Sequence, residues 1–221
     1  MGAPFSEGGT NVTYGEFKSF VLGLINQAQA RGVELDDTYN DQADYLQRIP
    51  GLYNAAMVEL ASEAVKLVGV MSPVISTTVC PCDGFVAISV PDDFISMTGD
   101  GIPVIRNGKM TREKGYYMVG EDTVMVRDDL VKNGVLEYRR CPQRLPMDPT
   151  NIDDSKKLDG TYEMQAAAAY YTAAMLVLQD DAFAYSALRN EYDDKLSEMK
   201  KRLRAEMFTV NSSCDIVFNP Y

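Results

Sequence analysis

The sequence predicts an α+β fold: a helical bundle with an inserted small antiparallel β unit and an extended C-terminal tail. Three observations predict it. Apolar residues recur at three- and four-residue spacing up to about residue 72 and again over 161–206, the period of amphipathic helices. Between 73 and 145 the pattern changes to short β-branched runs broken by turn dipeptides. Beyond 206 come large apolar residues with one charge, Asp215. The chain therefore divides into a flexible N-terminus (1–12), a bundle (13–72 and 161–206), a β insertion (73–145), a loop (146–160) and a docking tail (207–221).

Each element has its own signal. Thr13-Tyr14-Gly15-Glu16 reads as a capping box, and Phe17, Phe20, Val21, Leu24, Ile25 and Ala28 then fall on one helical face, with Arg31-Gly32 as the stop. A short helix is expected over 39–48. Pro50 opens a longer one carrying Leu52, Ala56, Leu60, Ala64, Leu67 and Met71, ended by Ser72-Pro73. Strands are expected at 74–80, 85–90, 102–106, 116–119, 123–127 and 135–140, with Asn107-Gly108 and Asn133-Gly134 as tight turns. Val86, Ile88 and Val90 share one face of the pleat; Leu136 and Tyr138 oppose Glu137 and Arg139. The stretch 142–160 is polar. Helix returns at Tyr162, breaks near Asp180-Asp181 and runs to about Glu206; its apolar section, 166–178, is hydrophobic nearly all round and should be buried on every side.

Composition excludes several classes of function. Among 221 residues, 32 acids against 21 bases leave a net charge of −11, which disfavours a surface that wraps nucleic acid. There is no histidine, so histidine-based triads and histidine-ligated zinc sites are absent. Cys80-Pro81-Cys82 is too close for an easy disulfide and lacks the spacing of a zinc or redox motif; with Cys141 and Cys214 it is read as reduced thiols. The N-terminus carries no export signal, and 166–178 falls short of the roughly 20 residues a membrane span needs. A cytosolic chain, or one assembled there, is expected, with no membrane contact.

Candidate chemistry is sparse. Six Asp-Asp pairs, at 36–37, 92–93, 128–129, 153–154, 180–181 and 193–194, could hold a divalent ion or work as acid and base. Most stand where turns and helix starts favour Asp. The stretch 148–154 is the most cation-like, yet reads first as a solvated loop. The segment 101–109 has the wrong glycine spacing for a phosphate loop, and Met110 stands where Ser or Thr should bind magnesium. No catalytic residue, metal or cofactor is expected. Lys200, Lys201, Arg202 and Arg204 crowd the last helix, where cations complement the dipole or form a basic patch for an acidic partner. The tail residues suit strand addition to a partner or, equally, docking on the chain's own domain.

Two stretches carry a resemblance. One is the strand around Tyr138-Arg139-Arg140-Cys141-Pro142. The other is Ala166-Ala167-Ala168-Ala169-Tyr170-Tyr171, followed by Gln179-Asp180-Asp181 and by Asn190-Glu191-Tyr192. With Pro91-Asp92-Asp93-Phe94 ahead of them, they resemble the head-to-tail adaptor (connector) proteins of tailed bacteriophages over about 50–200. The resemblance implies a non-enzymatic virion protein assembled in the host cytoplasm, a homo-oligomeric and usually dodecameric ring beneath the portal. It implies one contact with the portal, one with a stopper or tail protein, and DNA passing through without specific binding. Carried onto this chain, Phe208, Val210, Ile216, Val217 and Phe218 become the portal-facing candidates. Two other readings are another virion or tail-completion protein and a divalent-metal enzyme using Asp or Glu.

Overall fold

The computed structural model describes residues 12–29, 41–76, 84–99, 101–106 and 108–212. The chain is α+β, with five α-helices and small antiparallel sheets among those residues. It divides into two compact units: Met1–Val65 with Pro142–Tyr221, and Lys66–Cys141.

The first unit is helical. Helix α1 (Tyr14–Gln29) opens on the expected capping box. The Thr13 N–H donates to Glu16 Oε2 at 2.8 Å, and the Glu16 N–H donates back to Thr13 Oγ1 at 3.3 Å. Phe17, Val21, Leu24 and Ile25 are buried as their spacing requires. Helix α2 (Asp41–Glu63) corrects the reading of two helices divided at Pro50, for it runs through the proline. An interior proline removes one helical hydrogen bond. Tertiary anchors offset that loss on the N-terminal side: Tyr45 donates its hydroxyl to Asp180 at 3.0 Å, and Arg48 donates to the Met175 carbonyl. Helix α2 also stops at Glu63 rather than near 72. Val65, Val68 and Val70 favour extended backbone, and the stripe residues Leu67 and Met71 are buried without being helical.

Helices α4 (Tyr162–Val177) and α5 (Ala182–Ser212) close this unit. Ala167, Ala168, Ala169, Ala173, Ala174 and Val177 have no exposed surface, so the prediction of a helix buried nearly all round holds. Thr161 caps α4, and the break falls at the expected aspartates. Asp181 accepts the N–H groups of Phe183 and Ala184 at 3.0 and 2.9 Å to start α5. Buried Gln165 fastens the surrounding loops. Its Oε1 accepts the Val12 N–H at 3.2 Å, and its Nε2 donates to the Leu158 and Asp159 carbonyls at 3.0 and 3.2 Å.

The second unit holds three small sheets. Strands β1 (Val68–Val70), β8 (Glu137–Arg140) and β3 (Phe94–Met97) form one, in the order β1-β8-β3. Strands β2 (Phe85–Ser89), β7 (Thr123–Arg127) and β6 (Tyr116–Val119) form another, in the order β2-β7-β6. Strands β4 (Ile102–Arg106) and β5 (Lys109–Glu113) form a hairpin. Ile88, Val104, Val124, Val126, Leu130, Leu136 and Tyr138 pack into its core, with Val86 and Val90 against them as the alternation predicts. Gly108, between β4 and β5, has φ 75°, a conformation that favours glycine, while Asn107 lies outside the described residues. Asn133-Gly134 makes no hairpin. Asn133 ends a short helix, α3 (Asp128–Asn133), and Gly134 is its C-cap in extended backbone. In place of a strand over 74–80, the described part holds a single bridge from Ile75 to Ile88; 77–83 lie outside the described residues.

Candidate interaction surfaces

The sequence-derived candidates meet the structure unevenly. Helix α5 continues through Ser212, past the expected boundary at 206, because no glycine or proline interrupts that stretch. Phe208 and Val210 therefore lie on helical backbone rather than an extended tail. Ile216, Val217 and Phe218 lie outside the described residues, as do Cys80, Cys82 and Cys214. Cys141 is an exposed free thiol.

The basic cluster is partly committed to the bundle. Lys200 pairs with Glu63 of α2, and Arg202 with Glu163 of α4. Lys195 sits 5.0 Å above the Tyr170 ring. Lys201 and Arg204 are exposed. Between α4 and α5 a surface groove of about 190 Å³ is lined by Tyr162, Glu163, Ala166, Lys195, Glu198, Met199 and Arg202. Two acids and two cations there balance one another, which gives no selectivity for one sign of ligand.

Asp36 and Asp37 lie outside the described residues; aspartates of the other five pairs, and Asp148 beside them, act as capping and pairing groups. Asp148 accepts the Thr150 N–H and hydroxyl, and Asp153 accepts the Ser155 N–H; those bonds hold both carboxyls below their ordinary range. Asp154 pairs with Lys18 at 2.6 Å and its carbonyl accepts the Gly15 N–H, so the acidic loop packs on the start of α1. Asp93 accepts the Tyr138 hydroxyl at 2.8 Å. Asp129 and Glu113 both accept from Arg127, at 2.8 and 2.7 Å, which stabilises its cation further. Asp128 pairs with Lys132, and Asp193 with Arg189. Among the described residues no group of three or more Asp, Glu, Cys or His is placed to hold a metal ion.

Sequence reasoning missed the exposed apolar surface. In the β unit, Val68 and Val70 on β1, and the cross-strand pair Ile105 and Met110 on the hairpin, face outward. In the bundle Phe183 at the start of α5 does the same. The signal for the hairpin was present, since a tight Asn-Gly turn requires a second strand after it. Lys109-Met110-Thr111-Arg112-Glu113 hides that strand because it lacks a β-branched run.

In comparisons with known proteins, no family model matches the chain and no curated protein matches it significantly. No helix among the described residues is long and apolar enough to cross a membrane.

Proposed function

We propose that the chain is a structural virion protein, a head-to-tail adaptor of a tailed bacteriophage that forms a ring under the portal. It bridges the portal to a stopper or tail protein and lets DNA pass. The observation that carries this reading is the large apolar surface left uncovered on a folded, strongly acidic chain. Ile105 is 67% exposed, Met110 72%, Val70 67% and Phe183 69%, against a net charge of −11. Exposed side chains of that size, such as the cross-strand neighbours Ile105 and Met110, are what assembly covers. Strand β8 with the Cys141-Pro142 that follows it, and the largely buried α4 further on, supply the pattern of the resemblance. The acidic balance suits a channel to which DNA must not adhere. The segment 207–221, with Phe208, Val210, Ile216, Val217 and Phe218, is the portal-facing part, and Lys201 and Arg204 add positive charge beside it.

Negative-stain images of the purified protein, alone and mixed with a portal, test this. Rings seated on portals are expected. Deleting 207–221 should abolish attachment while the melting temperature stays within a few degrees of the parent. A protein that neither forms rings nor binds portals overturns the reading.

A further inference from the structure

The β4–β5 hairpin is basic on an acidic chain. Arg106, Lys109, Arg112 and Lys114 stand against the single acid Glu113 between 102 and 114. Arg112 is committed locally, donating to Glu137 at 3.0 Å and to the Gly101 carbonyl at 3.1 Å. On the outward face of the hairpin the exposed pair Ile105 and Met110 stand directly opposite one another, and Lys114 is exposed four residues beyond Met110. Lys109, one residue from Met110, belongs to the other face of the pleat. The outward face thus presents an apolar pair with a free cation beyond it.

Helix α5 presents the reverse. Phe183 is exposed at its start, with Asp180 before it and Glu191, Asp194 and Glu198 after it, all exposed. At 3.6 residues per turn, Phe183, Glu191, Asp194 and Glu198 fall within an arc of about 80°. Phe183 to Glu191 spans about 12 Å along the helix. Met110 to Lys114 spans about 13 Å along a strand. With Met110 seated against Phe183, Lys114 reaches Glu191.

We propose that the β4–β5 hairpin of one copy docks on the Phe183–Glu191–Asp194 ridge of α5 in a second copy of this chain. The contact deepens the ring reading and rests on it: two different patches meet head to tail, the kind of interface that closes into rings. A protein partner is favoured over DNA because the middle of the hairpin surface is apolar.

Charge exchange in the full-length chain, followed by sedimentation velocity, tests the contact. Lys114→Glu should raise the concentration needed for assembly at least roughly tenfold, and Glu191→Lys with Asp194→Lys should do the same. Mixing the two variants should restore assembly, because each reversed hairpin then meets a reversed ridge and each parental hairpin a parental one. All three side chains are exposed, so unchanged melting temperatures are expected and keep folding out of the result. A hairpin variant that assembles like the parent, or a mixture that fails to recover, overturns the contact and leaves the ring reading standing. A parent that stays monomeric at every concentration and on portals overturns both. A hairpin variant that assembles normally but loses affinity for double-stranded DNA shows that the hairpin's partner is nucleic acid, and the contact is then wrong.

Discussion

Gln165 has no exposed surface, yet it lies in the most apolar of the described helices and joins two separate backbone segments, one at Val12 and one at Leu158 and Asp159. Gln165→Leu fills similar space but leaves the Val12 N–H and the Leu158 carbonyl without that partner. A loss of roughly 1–3 kcal/mol is expected, read as a lower denaturant midpoint with unchanged slope. Tyr14 is the opposite case. Its ring is fully buried and its hydroxyl finds no hydrogen-bond partner among the described residues. Tyr14→Phe should therefore leave stability unchanged or raise it by up to ~1 kcal/mol. Burial, and to a lesser extent Asp154, push the Tyr14 phenol up to about 12. A group whose folded pKa is raised stabilises fully below its unfolded value and loses that contribution as pH rises through the folded one. Stability should fall between about pH 10 and 12, and less steeply in Tyr14→Phe. Equal alkaline slopes in the two proteins would contradict this. Neither residue's role was legible in the sequence, because each depends on what lies across the fold: Val12 and Leu158 for Gln165, Asp154 for Tyr14.

Elements were most legible where local chemistry and long-range packing agree. Thr13 with Glu16, Thr161 and Asp181 each start a helix where capping preferences place one. Asp181→Ala should cost about 1 kcal/mol, with helical content lost at the start of α5. Leu176, 1% exposed on α4, gives a harsher test. Leu176→Asp puts an unpaired charge inside the bundle and should cost several kcal/mol, most of a typical domain's stability. A Leu176→Asp protein that melts like the parent would sink the buried-helix assignment. Where local and long-range terms oppose each other, the sequence misled. Pro50 argues for a boundary that Tyr45 and Arg48 override through contacts with Asp180 and Met175. Strand β1 was hidden in a stripe of helical period, although Gly69 marks it. A Cβ there would sit 2.7 Å from the Tyr138 ring, so only glycine lets β1 lie flat against that tyrosine. The exposed ridge and hairpin escaped notice for a different reason, since which apolar residues stay uncovered is settled only once all the others are packed.

At the scale of the whole molecule, the β unit begins and ends at one place. Strands β1 and β8 are antiparallel neighbours, with Val68 opposite Arg139 and the Arg140 N–H donating to the Leu67 carbonyl at 3.0 Å. The chain therefore leaves the helical unit and returns to it at points about 5 Å apart, the spacing of paired strands. An insertion of that geometry can be removed without stretching its host. Replacing 66–141 by a short Gly-Ser linker should leave a protein whose helical signal and cooperative melting persist, because α1, α2, α4 and α5 retain their mutual packing. The excised segment 66–141 brings its own core, with Ile88, Val124, Val126 and Leu130 wholly buried, and should show a cooperative transition of its own. The two products should then divide the assembly behaviour. The linker protein keeps the α5 ridge but lacks the hairpin, and the β unit keeps the hairpin but lacks the ridge. Neither should self-assemble, while a mixture should form complexes of one of each and stop there. Loss of cooperative melting in both products would show that the two units fold only together. Self-assembly of the linker protein alone would place the self-contact within the helical unit.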